Sequence, residues 1–190
     1  MEHARSLPVA LPVLVVGAGP VGLSLSLMLS RHGVQHAVID KHPGTSRHPK
    51  ARGLSIRTME LFRELGVDER LRAAGAPAAT RGGVTFARTL SDPDYVYVAV
   101  EDGGTTARLS PATSAGCPQD ELERILADEA GRSGVLRFDH ELTGLLPGDG
   151  EVQATVRDRH GGGTQVVRAQ YLVGAEIGRA SCRERVSCCV

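Results

Sequence analysis

The 190-residue sequence predicts an α/β fold, a Rossmann-like sheet that begins with a βαβ unit and carries an inserted antiparallel β-meander. Three observations predict this fold. A glycine-rich turn joins an apolar, β-branched run to an apolar helix. An amphipathic helix is predicted from Gln119 to Arg132. Beyond that helix, short runs with a period of two alternate with turns, which is typical of an antiparallel meander.

The βαβ unit lies near the N-terminus. Val13 to Val16 is a short apolar run of the kind that forms a buried parallel strand. Leu23 to Arg31 is rich in leucine and free of helix breakers, Pro20 is acceptable in its first turn, and Gly33 ends it. Ala37 to Asp40 is the second strand, which completes the unit.

Helical and extended patterns alternate in the rest of the chain. Lys41 to Arg52 is a polar loop, and Leu54 to Leu65 is a helix. Asp68 is expected to cap a short helix that runs to Ala74. Tyr95 to Val100 is predicted to be a strand. The remaining predicted strands are Val135–Phe138, Glu141–Leu146, Glu151–Arg157, Thr164–Arg168 and Tyr171–Val173.

The turn after the first strand has the GxGxxG spacing of a dinucleotide-binding site. Its residues are Gly17, Ala18, Gly19, Pro20, Val21 and Gly22. Gly17 permits the tight turn, Gly19 lets the backbone approach a pyrophosphate, and Gly22 lets helix and strand pack closely. The N-terminus of the helix then directs its N–H groups at the anion. The alternative is a glycine-rich turn that binds no ligand.

Asp40 ends the second strand roughly 20 residues after Gly17, the spacing expected of a ribose-binding acid. A carboxylate at this position accepts hydrogen bonds from ribose hydroxyls and repels a 2′-phosphate. The turn therefore favours NAD or FAD over NADP. The alternative for Asp40 alone is a solvated acid at the end of a strand.

Charge and composition exclude several classes of protein. Lys plus Arg and Asp plus Glu both number 22, so the net charge is zero, and aromatic residues make up 3%. Neither value favours a nucleic-acid-binding protein. No run of about 20 apolar residues predicts a membrane span. The seven histidines lack metal-ligand spacing and are expected on the surface or in loops.

The C-terminal tail has neither an apolar period nor turn signals. Residues 176–186 read EIGRASCRERV, which is the translation of a DNA sequence resembling a common sequencing-library adapter. We therefore expect the natural domain to run to about Ala175, with residues 176–190 being read-through. The alternative is a natural basic tail. Without this tail only Cys117 remains of four cysteines, which favours a reducing, cytoplasmic compartment.

Two segments resemble the start of the FAD-dependent aromatic-ring hydroxylases, single-component flavoprotein monooxygenases of the para-hydroxybenzoate and phenol hydroxylase type. They read GAGPVGLSLSLMLSRHGVQHAVIDKH and HPKARGLSIRTMELFRELG. The helix starting QDELERIL at Gln119 is similar to the family's flavin-contacting helix, and Tyr171–Ala175 resembles the strand before its Asp-Gly motif. The polyketide-tailoring members look nearest. The resemblance covers nearly all of residues 12–175.

The resemblance implies an incomplete FAD-binding domain over residues 1–175, truncated because Glu176-Ile177 replaces the Asp-Gly motif and the later regions are absent. It implies that the glycine turn holds the FAD pyrophosphate and that Asp40 binds the adenosine ribose, with Lys41 beside it.

Three further positions follow from the same resemblance. Lys50 stands where the family has a basic residue against the cofactor phosphates, and Arg52 and Arg47 are weaker candidates. Gln119 corresponds to the family's glutamine at the ribitol chain or flavin edge. The alternatives are solvated loop charges and a polar helix start.

The function implied is that of the FAD-binding part of an NAD(P)H-dependent monooxygenase. In the family, NAD(P)H reduces the flavin and one atom of molecular oxygen passes to an aromatic ring. The resemblance to the polyketide-tailoring members implies a polyketide ring here. Because the cofactor carries the chemistry, the sequence nominates no catalytic side chain, and it nominates no metal ligand. The fragment is expected to be inactive alone. The alternatives are an NAD-binding Rossmann dehydrogenase, which needs further βα units, and a nucleotide-binding module without catalysis.

Overall fold

The computed structural model describes residues 6–48, 50–75, 83–99 and 109–176, and the chain divides into two compact units, 1–48 with 122–190 and 49–121. The described helices are α1 (Pro20–Arg31), α2 (Ile56–Glu64), α3 (Asp68–Ala74) and α4 (Gln119–Ser133). The described strands are β1 (Ala10–Val16), β2 (His36–Ile39), β3 (Gly53–Leu54), β4 (Gly83–Phe86), β5 (Val96–Ala99), β6 (Ala115–Gly116), β7 (Val135–Arg137), β8 (His140–Pro147), β9 (Val152–Asp158) and β10 (Thr164–Gly174).

One mixed sheet organises the first unit, with the strand order β7-β2-β1-β10-β9-β8. Strand β1 pairs in parallel with β2 on one side and with β10 on the other, and β2 pairs in parallel with β7. Strands β8, β9 and β10 form an antiparallel meander that continues the same sheet. The predicted α/β fold with a βαβ start and an antiparallel meander is therefore confirmed.

Strand β10 corrects the prediction of two separate strands, Thr164–Arg168 and Tyr171–Val173. It is continuous because it changes partner part-way along its length. Its first part pairs antiparallel with β9 as far as Ala169, and its second part pairs in parallel with β1 from Arg168 onward. Each part satisfies its backbone groups on a different neighbour, so no turn is needed between them.

Side chains of β1, β2, β9 and β10 form the hydrophobic core of the first unit, for example Leu14, Ile39 and Val167. Val13 to Val16 is buried, as are Leu23 and Leu27 of α1 and Ala37 to Ile39 of β2. Burying each such large apolar side chain contributes about 1.5–3 kcal/mol to folding. The local apolar runs of the sequence therefore supply both the strands and the helix face that covers them.

Two histidines contradict the expectation that all seven lie on the surface or in loops. His36 in β2 is 7% exposed and His140 in β8 is 8% exposed. The imidazole of His36 bonds to Ser26 Oγ at 2.7 Å through Nε2 and to the carbonyl oxygen of Val34 at 2.9 Å through Nδ1. Both ring nitrogens are thus satisfied, which lets the ring of this β2 residue be buried against α1.

The second unit contains α2, α3 and two short antiparallel pairs, β3 with β6 and β4 with β5. Its buried side chains include Met59, Phe62 and Leu71. Helix α2 begins at Ile56, not at Leu54, because the hydroxyl of Ser55 accepts a hydrogen bond from the Thr58 N–H at 3.2 Å and caps the helix.

Three smaller predictions in the sequence can also be compared with the structure. The predicted strand Tyr95–Val100 is observed as β5, although Val100 lies outside the described residues. Asp68 is the first residue of α3, and Val67 occupies the cap position, so the predicted cap is wrong by one residue. Within the described ranges no helix combines the length and the apolar character that crossing a bilayer requires. The proposed read-through tail lies outside the described residues from Ile177 onward.

Candidate cofactor site

The turn between β1 and α1 accepts only glycine at its first position. Gly17 has a φ of +111°, which side-chain-bearing residues rarely adopt. A Cβ placed on it would lie 2.9 Å from both the carbonyl carbon and the oxygen of Ala175. Its N–H donates to the Ile39 carbonyl at 2.8 Å, so the turn is tied to the end of β2.

The structure requires a glycine at position 22 but not at position 19. A Cβ on Gly22 would lie 1.9 Å from the Gly17 carbonyl oxygen, so the helix passes too close to the turn for any side chain. A Cβ on Gly19 would meet nothing within 4 Å. The Gly19 position therefore borders open space, although neither its backbone conformation nor its neighbours demand a glycine.

No side chain of its own first turn caps or neutralises the N-terminus of α1. Gly19 is the cap residue and supplies no side-chain hydrogen bond, Pro20 is the first helical residue, and the first turn contains no acidic side chain. The first amides of an α-helix lack partners within the helix, and together they carry partial positive charge. The arrangement fits an anionic pyrophosphate group, which is what the chemistry of a dinucleotide requires.

Asp40 is tied to the turn by its carboxylate. Its Oδ2 accepts a hydrogen bond from the Ala18 N–H at 2.7 Å, and its side chain is 16% exposed. Its Oδ1 accepts a hydrogen bond from the His42 N–H at 2.8 Å and lies 2.8 Å from His42 Nδ1. The structure thus brings together the glycine turn and Asp40, the two features that the sequence paired by spacing.

Two residues around the segment after β2 were not predicted from the sequence. His42 contacts Asp40 as described, and Glu123 of α4, only 4% exposed, accepts a hydrogen bond from the Ser46 N–H at 2.7 Å. An Asp-x-His spacing at a strand end is a weak signal for the first contact. No local signal predicts the second, because 77 residues separate its partners.

Two cations of the first unit that are candidates for binding the cofactor phosphates, Lys41 and Arg47, have exposed side chains. Lys41 is 42% exposed, and its Nζ lies 3.9 Å from Glu176 Oε2. Arg47 is also exposed. Neither side chain is held in a buried pocket.

The second unit brings Lys50, Arg52 and Gln119 together through the backbone. The Gln119 N–H donates to the Ala51 carbonyl at 2.9 Å, and the Cys117 N–H donates to the Arg52 carbonyl at 2.8 Å. Lys50 and Arg52 are exposed, and Gln119 at the start of α4 is partly exposed. Among the described residues, no group of three or more His, Cys, Asp or Glu side chains is arranged to hold a metal ion.

Comparison with known proteins identifies the family. Residues 10–189 match the family described as the FAD binding domain. The chain belongs to this family of FAD-binding domains. The match does not favour the alternatives of an NAD-dependent dehydrogenase or a general nucleotide-binding module.

Named relatives of this FAD-binding domain are monooxygenases and hydroxylases. The chain is 37% identical to tetracenomycin A2 monooxygenase-dioxygenase of Streptomyces glaucescens, over 91% of the chain and 34% of the relative. It is 36% identical to aklavinone 12-hydroxylase of Streptomyces peucetius subsp. caesius, over 90% of the chain and 36% of the relative. The resemblance to polyketide-tailoring and aromatic hydroxylases predicted from the sequence is confirmed.

A solved structure shows the same fold. The flavin-dependent monooxygenase PieE, in complex with FAD and substrate, superposes with a TM-score of 0.79 at 34% identity, over 92% of this chain and 31% of PieE. The chain spans about a third of the length of the curated relatives it matches.

Proposed function

We propose that the β1–α1 turn and Asp40 bind the adenosine diphosphate half of FAD. The pyrophosphate lies over Gly17 to Gly22 at the N-terminus of α1, where Val21 and Gly22 supply backbone N–H groups. The Ala18 N–H holds Asp40, and the adenosine ribose lies against this carboxylate. The observation that carries this proposal is the open space beside Gly19 at a helix N-terminus that no side chain caps.

Residues of the polar loop and of α4 complete the proposed set. Lys41, Lys50 and Arg52 supply positive charge toward the cofactor phosphates, with Arg47 a weaker contributor, and Gln119 bonds to the ribitol chain or flavin edge. Their support is the family resemblance together with their exposure. Because exposed cations act through a screened field, each contributes less than the backbone amides of the turn.

We further propose that the whole protein is an NAD(P)H-dependent monooxygenase that uses molecular oxygen to hydroxylate an aromatic ring of the polyketide type in the cytoplasm. The names of its relatives support this activity. Bound FAD supplies the electron transfer and oxygen activation, while the residues of this chain bind and orient it. On this proposal residues 1–175 are an incomplete domain, inactive alone, and 176–190 are read-through. A genomic reading frame that encodes Glu176 to Val186 at the source locus would contradict the read-through assignment.

The test of the binding site uses Gly19→Ala. A methyl group at this position meets no protein atom, so the melting temperature is expected to stay within about 2 °C of the parent. The methyl group does meet the pyrophosphate, so quenching of FAD fluorescence on titration is expected to be lost. Gly44→Ala, which also projects into open space but lies in the polar loop, is the matched control and should bind FAD normally.

The parent chain should bind FAD, and added NAD should not displace FAD from the site. Preferential binding of NAD would instead support the dehydrogenase alternative. For the activity, the chain extended by its natural downstream sequence should oxidise NAD(P)H in the presence of a phenolic polyketide. A parent chain and an extended chain that both fail to bind FAD would overturn the whole proposal.

A further inference from the structure

Three consecutive backbone carbonyls after β2 accept hydrogen bonds from a distant part of the first unit. The His140 N–H donates to the Asp40 carbonyl at 2.9 Å, and the Asp139 N–H donates to the His42 carbonyl at 2.9 Å. Between them, Arg159 Nη1 donates to the Lys41 carbonyl at 3.0 Å. We refer to these donors, the amides of residues 139 and 140 and the guanidinium of Arg159, as the Asp139–Arg159 clamp.

The clamp is built where β7 turns into β8. Asp139 has a φ of +56°, the single described non-glycine residue with positive φ, and this left-handed conformation turns the chain from β7 into β8. The two parts of the clamp are joined, because the Arg159 N–H donates to the Asp139 carbonyl at 2.7 Å. Arg159 follows β9, so the meander carries the side chain to the segment after β2.

Arg159 also lies in a small charged cluster with Glu141. Arg159 Nε is 3.9 Å from Glu141 Oε2, and Arg157 Nη2 donates to the same oxygen at 2.7 Å. The hydrogen bond from Arg157, followed by the positive charges of Arg157, Arg159 and Lys41, lowers the pKa of Glu141. The ionised carboxylate therefore steadies both guanidinium groups at neutral pH.

The clamp affects ligand binding by Asp40 because the acceptor positions of the Asp40 carboxylate are nearly all occupied. Oδ1 receives both contacts from His42, and Oδ2 receives the Ala18 N–H. A carboxylate has about four acceptor positions, so one on Oδ2 remains for a ribose hydroxyl. A rotation of the 40–42 backbone would displace His42 and turn this last position away from the glycine turn.

We propose that Arg159 and Asp139 are positioning residues for cofactor binding, acting through Asp40 by fixing the backbone of residues 40–42. The inference rests on the proposed role of Asp40 at the adenosine ribose. Neither side chain needs to touch the cofactor. The meander thus has a function in the site, in addition to extending the sheet.

The test compares Arg159→Met with Arg157→Met in the full chain. Both changes remove one exposed positive charge beside Glu141, and their side chains are 47% and 52% exposed. Only Arg159 donates to the Lys41 carbonyl in the described structure. We expect the Kd for FAD to rise about fivefold in Arg159→Met, the factor that one net hydrogen bond supplies, and to change less than twofold in Arg157→Met.

A double-mutant cycle shows whether Arg159 acts through Asp40. In an Asp40→Asn background, Arg159→Met is expected to cause no further loss of FAD affinity. An equal loss in both backgrounds would indicate a merely structural role and overturn the proposal. An Asp40→Asn variant with the affinity of the parent would instead overturn the proposed ribose contact, so the two failures are distinguishable.

A second measurement needs no cofactor. Hydrogen exchange of the unliganded chain reports on the Ala18 amide, which donates to Asp40. We expect this amide to exchange faster in Arg159→Met and at the parent rate in Arg157→Met, with the core amides of β1 unchanged in both. Unchanged protection of the Ala18 amide in Arg159→Met would overturn the clamp even if FAD affinity fell.

Discussion

The glycine turn of the first unit and the Lys50–Arg52 segment of the second are both proposed to bind FAD, but they differ in what constrains their residues. In the turn, the backbone itself excludes side chains at Gly17 and Gly22. Lys50 and Arg52, in contrast, have exposed side chains. A site built from backbone is therefore coupled to folding, whereas a site built from exposed side chains can change while the fold persists.

The largest effect is expected from Gly22→Ala. Its Cβ would lie 1.9 Å from the Gly17 carbonyl oxygen, and because that atom is backbone, the turn or the helix must move. We expect the free energy of unfolding to fall by about 3 kcal/mol, measured by urea denaturation. FAD affinity should fall by about a hundredfold or more, because the amides leave the pyrophosphate.

The matched control is Gly131→Ala in α4, where a Cβ meets nothing within 4 Å. Alanine in an exposed helix position stabilises by about 0.5–1 kcal/mol relative to glycine, so this variant should melt slightly higher and bind FAD normally. If Gly22→Ala kept the stability and the FAD affinity of the parent, the inferred close contact between α1 and the turn would be contradicted.

Asp40→Asn is expected to have an intermediate effect. The amide keeps the shape of the carboxylate but removes its charge and one of its two acceptor oxygens. These oxygens accept hydrogen bonds from the Ala18 and His42 N–H groups. Because hydrogen bonds to a charged group are the stronger ones, the Kd for FAD should rise by about tenfold or more in fluorescence titrations. Asp149→Asn, at an exposed turn position, is the control and should bind as the parent does.

Lys50→Met and Arg52→Met test the proposed contribution of the exposed cations of the second unit to FAD binding. Exposed charge pairs contribute about 0.2–1 kcal/mol, so each change should raise the Kd for FAD by no more than about fivefold. The melting temperature should not change, and the difference from the parent should shrink as the salt concentration rises. Arg57→Met, an exposed cation of α2, controls for net charge. A loss of stability in Lys50→Met or Arg52→Met would show that the segment is coupled to folding after all.

The same contrast explains how far the sequence could predict this protein. The β1–α1–β2 unit, its turn and Asp40 are specified by residues close together in the chain, and all were predictable from periodicity and spacing. Strand β10 was predicted as two pieces because its change of partner at Arg168 and Ala169 depends on strands far away in sequence. The contact of Arg159 with Lys41, 118 residues apart, leaves no local signal either.

The smallest effect is expected in the β4–β5 hairpin of the second unit. The side chains of Phe86 and Val96 are largely exposed there, and that of Val98 is 50% exposed. Val38 in β2 has the same side chain and is fully buried. Val98→Thr should therefore change the free energy of unfolding by less than about 0.5 kcal/mol.

The matched change Val38→Thr places a hydroxyl in an apolar core, and it should cost about 1–3 kcal/mol unless the hydroxyl finds a partner. Urea denaturation of the two variants measures the difference directly. Equal costs would mean that the hairpin is as well packed as the parallel sheet, and the contrast between the two units would then lie in charge and not in burial. A larger loss of unfolding free energy in Val38→Thr would show that the parallel strands beside the glycine turn contribute more to the stability of the chain than the β4–β5 hairpin does.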